Sequence, residues 1–314
     1  MSSGKQESIV HRIEQELNVP SITEKLSDGL SASDFNSLLT QVFSLRADAM
    51  GSGDLLKQYA GNKYAKPAAC NAAAYRRLEA DMLCAAEAAG AQSVILSPAA
   101  LFGCCSAFGT VSQNKIISAI RNLEILSDSS NMLALYAAAE IKNGAYTDRE
   151  TPVHICTTHR QIRYQVTIAA GNLPHFGLFT MVSAGKSRSS YAFEIEALLF
   201  QLRFYSEYWL DKYGQRLSVS FNRRAGYKDP EGFFTRTVDA VSNELPDIEI
   251  SINENENDTI YYKGLQATIR TDIDGKSVEV GDIGFTDWTQ QLLNNKSQRL
   301  LISALALDRQ MLLL

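Results

Sequence analysis

The run V-H-I-C-T-T-H-R-Q-I-R-Y-Q-V-T-I, residues 153–168, constrains this chain most. It is dense in β-branched residues with near alternation, which predicts extended strand rather than helix. F-G-L-F-T-M-V-S-A-G at 176–185 repeats that texture, and shorter strand signals follow at 217–221, 247–252, 259–270 and 277–283. Before residue 153 the texture is helical. Ile9, Ile13 and Leu17 share one face; Phe35, Leu38, Leu39, Val42 and Phe43 share another, with Ser31 or Ser33 placed to cap it. M-G-S-G-D-L-L-K is a turn-rich joint and marks a boundary near residue 50. The alanine-rich stretch 68–90 predicts a helix stopped by Gly90, and V-I-L-S-P at 94–98 a buried strand broken by proline. Q-N-K-I-I-S-A-I-R reads either as a helix or as a loop with a short turn, whereas 132–142 and 190–213 are helical. Helices interleaved with antiparallel-looking strands define an α+β class rather than a βαβ alternation.

With 314 residues, 45% of them hydrophobic, the chain can bury a large core. A net charge of −5 argues against wholesale wrapping of nucleic acid. The five cysteines (70, 84, 104, 105 and 156) are odd in number and lack metal-ligand spacing, so reduced thiols in a cytoplasm are expected, with Cys104-Cys105 packing as small apolar residues and no zinc site. The polar start M-S-S-G-K-Q-E-S carries no export signal, and no stretch reaches transmembrane length. Nucleotide-binding glycine loops, a nucleophile elbow and the metalloprotease helix motif are all missing, and His11, His154, His159 and His175 are scattered. The acidic run at 254–258 reads as a solvated loop. D-T-I-Y-Y-K-G, residues 258–264, remains: on a regular strand its two rings face opposite ways, one into a core.

The order of several short segments adds more. G-S-G-D-L-L at 51–56, the helix at 68–90 and the strand ending at Pro98 resemble the joint and motif 1 of histidyl-tRNA synthetases, members of class II. L-S-D-S-S-N-M-L-A-L at 126–135 resembles the next segment, with Asp128 on its acidic residue, Ser130 on its threonine and Leu126 in place of its arginine. H-R-Q-I at 159–162 and P-H-F at 174–176 resemble motif 2: Arg160 and His175 match, while Ile162 replaces the glutamate and Phe176 the glutamine. F-E-I-E-A-L places Glu194 on a family glutamate. Tyr261, Tyr262 and Gly264 match the second half of the amino-acid-pocket signature, whose arginine falls on Asn257. I-G-F-T-D at 283–287 keeps Gly284 and Asp287 but has Phe285 for an arginine, and A-L-A-L-D-R at 304–309 resembles motif 3, with Arg309 matched and Ala304 and Ala306 for glycines.

The resemblance implies a class II synthetase-like antiparallel sheet over residues 51–314, preceded by a helical extension at 1–50, with the chain ending before any anticodon-binding domain. It implies ATP and Mg²⁺ as cofactors, with Arg160, Arg309 and His175 at the nucleotide, the two arginines catalytic because guanidinium offsets charge building on phosphate. Asp128, Glu194, Tyr261, Tyr262, Gly264 and Gly284 would contact an amino acid or related carboxylate. Each residue also has a plainer reading. Arg160 and Arg309 can pair with surface carboxylates; Asp128 suits a helix N-cap; Glu194 suits an exposed helix face; Lys263 suits solvent; His159 suits strand support. Two functions follow. One is an ATP-dependent ligase forming an adenylate for an acceptor other than tRNA. The other is an inactive paralogue, like the regulatory subunit of ATP phosphoribosyltransferase, that binds a ligand and a protein partner. Either would be a homodimer through the motif 1 region, with no membrane partner; a tRNA-charging enzyme is the least favoured third reading, since no anticodon module or basic surplus is visible.

Overall fold

The computed structural model describes residues 3–146, 150–164, 173–253 and 261–313. Asn257, Asp258 and the start of the strand expected at 259–270 lie outside them. In chain order the elements are α1 (Ser3–Leu17), α2 (Ile22–Ser27), α3 (Ala32–Asp48), α4 (Ser52–Gly61), α5 (Ala72–Ala88), β1 (Gln92–Ser93), β2 (Ala99–Leu101), α6 (Cys104–Ala107), β3 (Leu123–Ile125) and α7 (Ser129–Lys142). There follow β4 (Val153–Ile162), β5 (His175–Lys186), α8 (Ala192–Tyr213), β6 (Ser218–Arg223), α9 (Pro230–Glu244), β7 (Glu249–Asn253), β8 (Lys263–Ile273), β9 (Lys276–Thr286), α10 (Trp288–Leu293), β10 (Gln298–Ala306) and α11 (Leu307–Gln310).

The N-terminal helices form the expected extension. Ser31 caps α3 by accepting from the Asp34 amide. This helix meets the rest of the chain through its polar side: Asn36 donates to Asn122 Oδ1 (2.8 Å) and accepts from the backbone of residues 121 and 122. Leu38, Val42, Phe43 and Leu45 are left exposed. The turn-rich joint proves short, since Gly51 is the N-cap of α4 and helix resumes at once. In α5, Asn71 accepts from the Ala74 amide, and Gly90 closes the helix at φ +104°.

The main sheet runs β1-β4-β5-β10-β9-β8-β6-β7. The six central strands pair antiparallel, while the edge pairs β1·β4 and β6·β7 are parallel. Helices cover both faces. Tyr75, Leu78 and Met82 of α5, Leu202, Tyr205 and Trp209 of α8 and Phe233 of α9 pack with Phe179, Leu301 and Ile283 on one face. Leu133 and Ala137 of α7 and Trp288 of α10 pack with Ile155, Val182 and Ile302 on the other. Leu300 and Leu301 fall in different cores, as strand alternation requires.

Two expectations change. The strand assigned to 94–98 is only the pair Gln92–Ser93, parallel to β4; after it the chain leaves the sheet toward Pro98, and Ile95 stands fully exposed. The stretch Q-N-K-I-I-S-A-I-R is a loop with one tight turn at 113–115. Helix α9 has a readable start that the strand-rich context masked: Asp229 accepts from the Gly232 amide, and Pro230 takes the first helical position.

Candidate functional site

Side-chain contacts fix where α7 begins. Its Ser129 amide donates to Gln161 Oε1 of β4 (2.8 Å), and Ser129 Oγ shares a hydrogen with Thr180 Oγ1 of β5 (2.6 Å). Asp128, the N-cap, accepts from the Ser130 amide at 2.9 Å. Its buried carboxylate lines a cavity of about 580 Å³ over the sheet. Phe176 and Leu178 of β5 and Ile302 and Ala304 of β10 supply apolar wall; Thr110, Ser112 and Lys115 come from the loop after α6.

Tyr261 and Tyr262 both line this cavity. They precede β8 and so escape strand alternation, and their rings meet edge to face with centroids 4.7 Å apart. The expectation of opposed rings is thereby corrected. Gly264, at φ +71°, begins an irregular step in the β8–β9 pairing between Lys263 and Gln266. A Cβ there would meet the Tyr227 and Phe233 rings. Gly284 lies under Tyr262, where a Cβ would come within 2.5 Å of Tyr262 Cδ1. Neither glycine lines the cavity; Gly284 leaves room for the Tyr262 ring that does, whereas Gly264 leaves room for rings of the core on the other face.

Each tyrosine donates to a different carboxylate. Tyr261 Oη reaches Asp128 Oδ2 at 3.1 Å, and Tyr262 Oη reaches Asp282 Oδ2 at 2.7 Å. Arg163 stands 3.6 Å from Asp128 Oδ2. Burial, reinforced by these carboxylates, holds both phenols well above their ordinary pKa, so they remain donors at neutral pH. Burial also pushes the Asp282 carboxyl up to about 6, although the bond from Tyr262 works the other way. Asp282, Arg163, Lys115 and Gln266 were not anticipated from sequence. An acid between Gly281 and the apolar I-G-F run of the strand was the available signal for Asp282.

The remaining anticipated residues stand elsewhere. Gln161 faces α7, so its neighbour Arg160 points to the opposite face of the sheet. There Arg160 Nε donates to His175 Nδ1 (2.7 Å), Arg160 Nη2 pairs with Asp308 (3.1 Å), and the guanidinium lies 5.4 Å from the centre of the Tyr75 ring. With Nδ1 accepting, His175 Nε2 donates to the Lys66 carbonyl at 2.6 Å. Asp308 Oδ2 also accepts from the Gly177 amide at 2.6 Å, joining β5 to α11. Arg309 donates to the Glu279 carbonyl. Glu194 is 1% exposed rather than on an open helix face, and accepts from Arg299 Nε (2.8 Å) and Tyr227 Oη (3.1 Å). None of Arg160, His175, Arg309 and Glu194 lines the cavity. Lys263 lies 3.7 Å from Asp287, so it is paired rather than solvent-facing alone. The three inner cysteines are buried, with thiols pushed up to about 12 mainly by desolvation, which makes them packing residues.

No protein-family model and no curated protein matches the sequence. Solved structures do match the fold. Histidyl-tRNA synthetase from S. aureus aligns with a TM-score of 0.55 at 14% identity, over 76% of this chain and 65% of that one. An ATP phosphoribosyltransferase regulatory subunit/histidyl-tRNA synthetase from Bacillus halodurans C aligns at 0.57 with 10% identity, over 76% and 79%. A histidine–tRNA ligase subunit from Alicyclobacillus acidocaldarius aligns at 0.56 with 13% identity, over 79% and 94%. The fold is therefore class II synthetase-like. This chain spans about two thirds of the S. aureus enzyme. At these identities the likeness establishes architecture, and the chemistry rests on the cavity itself.

Proposed function

We propose that this chain is a class II synthetase-like ligand-binding protein. Its cavity takes an amino acid or a related small carboxylate without activating it as an adenylate. The supporting observation is the split between the two faces of the sheet. The polar groups suited to a zwitterion gather at the cavity: two tyrosines, two carboxylates, Arg163 and Lys115. Arg160 and Arg309, which the resemblance assigns to the phosphates, are bonded to protein groups outside it. The residues present therefore do not fit the ATP and Mg²⁺ arrangement that the resemblance implies.

Calorimetry with the twenty amino acids is expected to give binding, with no amino-acid-dependent pyrophosphate exchange in the presence of ATP and Mg²⁺. Exchange with any amino acid would reinstate the ligase reading, with Lys115 as the unpaired cation at the cavity among the described residues and Arg163 beside Asp128. The same reading includes a cytoplasmic setting and a regulated protein partner. Among the described residues no helix is long and apolar enough to cross a membrane.

A homodimer through the region 68–98 belongs to this proposal. Ile95 is 100% exposed, and Leu101 and Phe102 nearby are each 56% exposed, an apolar group suited to a second copy. Light scattering at micromolar concentration is expected to return twice the 34.6 kDa chain mass. A monomeric mass would remove this part of the proposal.

A further inference from the structure

The resemblance gives the ligand's amino group to Asp128, but the structure leaves Asp128 little to offer. Its Oδ1 accepts from the Ser130 amide, and its Oδ2 faces both Tyr261 Oη and the Arg163 guanidinium. The helix it caps depends on the first of these bonds. Asp282 is placed differently. It projects from the middle of β9 beside Ala304 of β10, whose small side chain leaves the space above it open to the cavity. Tyr262 donates to one of its oxygens, and among the described residues no cation forms an ion pair with it. A carboxylate held in protein with one neutral donor is costly unless a positive charge joins it.

Among the described residues none of the groups around it pairs with that charge, Arg163 favouring the ionised form only from its place beside Asp128. Asp128 and Glu279 are acids, Tyr261, Tyr262 and Gln266 are neutral, and Arg163 is already turned to Asp128. Lys115 lines the same cavity from the loop after α6 and has no ion pair among the described residues, so it is available to a ligand's anionic end. Among the described residues the cavity thus has one open carboxylate and one open ammonium.

We infer that Asp282, oriented by Tyr262, is the residue that holds the protonated amino group of the ligand, in place of Asp128. This rests on the ligand-binding reading above and adds a pH response to it. Asp282 binds a cation only when ionised, so affinity falls as pH drops from 8 to 5.

The test starts from a thermal-shift screen of the twenty L-amino acids against the full chain at pH 8. The strongest binder and its deaminated analogue are then titrated by calorimetry into the wild type and Asp282→Asn at pH 5 and pH 8. Asp282→Asn is expected to weaken the amino acid by about tenfold or more at pH 8. It should leave the deaminated analogue unchanged and flatten the pH profile relative to wild type. The ligand's own titration is common to both proteins and cancels in that comparison. If the variant matches wild type in affinity and profile, Asp282 is not the anchor, although the ligand-binding reading stands. If no amino acid binds the wild type, both fall. The deaminated analogue and the wild-type pH profile need no variant. Equal binding of analogue and amino acid, or a flat wild-type profile, overturns the inference even if Asp282→Asn fails to fold.

Discussion

Replacing Arg299 by methionine is expected to destabilise the protein by about 3–5 kcal/mol, the range for removing one partner of a buried ion pair. Glu194 is nearly inaccessible and receives Arg299 Nε at 2.8 Å, with Tyr227 Oη its other donor at 3.1 Å. Its second oxygen is buried with no hydrogen-bond partner among the described residues. Without Arg299, a carboxylate would remain among the stacked Tyr227 and Phe233 rings with one neutral donor. The double replacement Arg299→Met with Glu194→Leu removes the charge together with its counter-ion and should recover most of the loss. Urea unfolding of the two single variants and the double gives the coupling directly. A loss below about 1 kcal/mol for Arg299→Met would mark the pair as dispensable. Glu194 would then be open again to the substrate role its sequence position suggested.

Asp282→Asn is expected to act in the opposite direction on the unliganded protein, making it more stable at pH 8. The folded carboxyl titrates near 6 against an ordinary 3.8, so the folded state holds its proton more tightly than the unfolded chain. The sign follows. This contribution is complete below about 3.8 and is lost as pH rises through about 6, so the wild type carries the full penalty of a buried charge at pH 8. Two pKa units correspond to about 3 kcal/mol, an order-of-magnitude figure. Asparagine keeps an acceptor for Tyr262 without the charge. The gain should therefore be present in denaturant melts at pH 8 and shrink toward zero at pH 4. Equal stability of the two proteins at pH 8 would contradict the burial of this carboxylate. A variant that is more stable but binds less well would show a site maintained at the expense of stability.

The parts of this molecule legible in its sequence were those coded locally. The D-S-S-N cap, the alanine-rich helix and the strand density after residue 153 depend on near neighbours, and the colinear segments led to the fold. The phase of β4 was not legible. A strand covered on both faces lacks polar alternation, so nothing local says whether Arg160 or Gln161 faces α7, and one step reverses every side chain. Matching arginine to arginine chose residue 160, whereas the guanidinium at the cavity belongs to Arg163. Asp282 was illegible for another reason. Its meaning comes from Tyr262, twenty positions away, and Ala304, across the sheet, which only the assembled strands bring together. The tyrosine pair was half legible: the match located it, but its shared orientation depends on the irregular start of β8 at Gly264.

Strand order carries a consequence for folding. β10, at 298–306, lies between β5 and β9 at the centre of the main sheet. Until β10 is in place, the sheet can form only as two separate pieces. One ends in β5 and the other in β9, and each presents an open row of amides and carbonyls. Only the late strand joins them. The chain is thus most exposed to mispairing before its sheet is closed, with β5, its longest strand, among those left waiting.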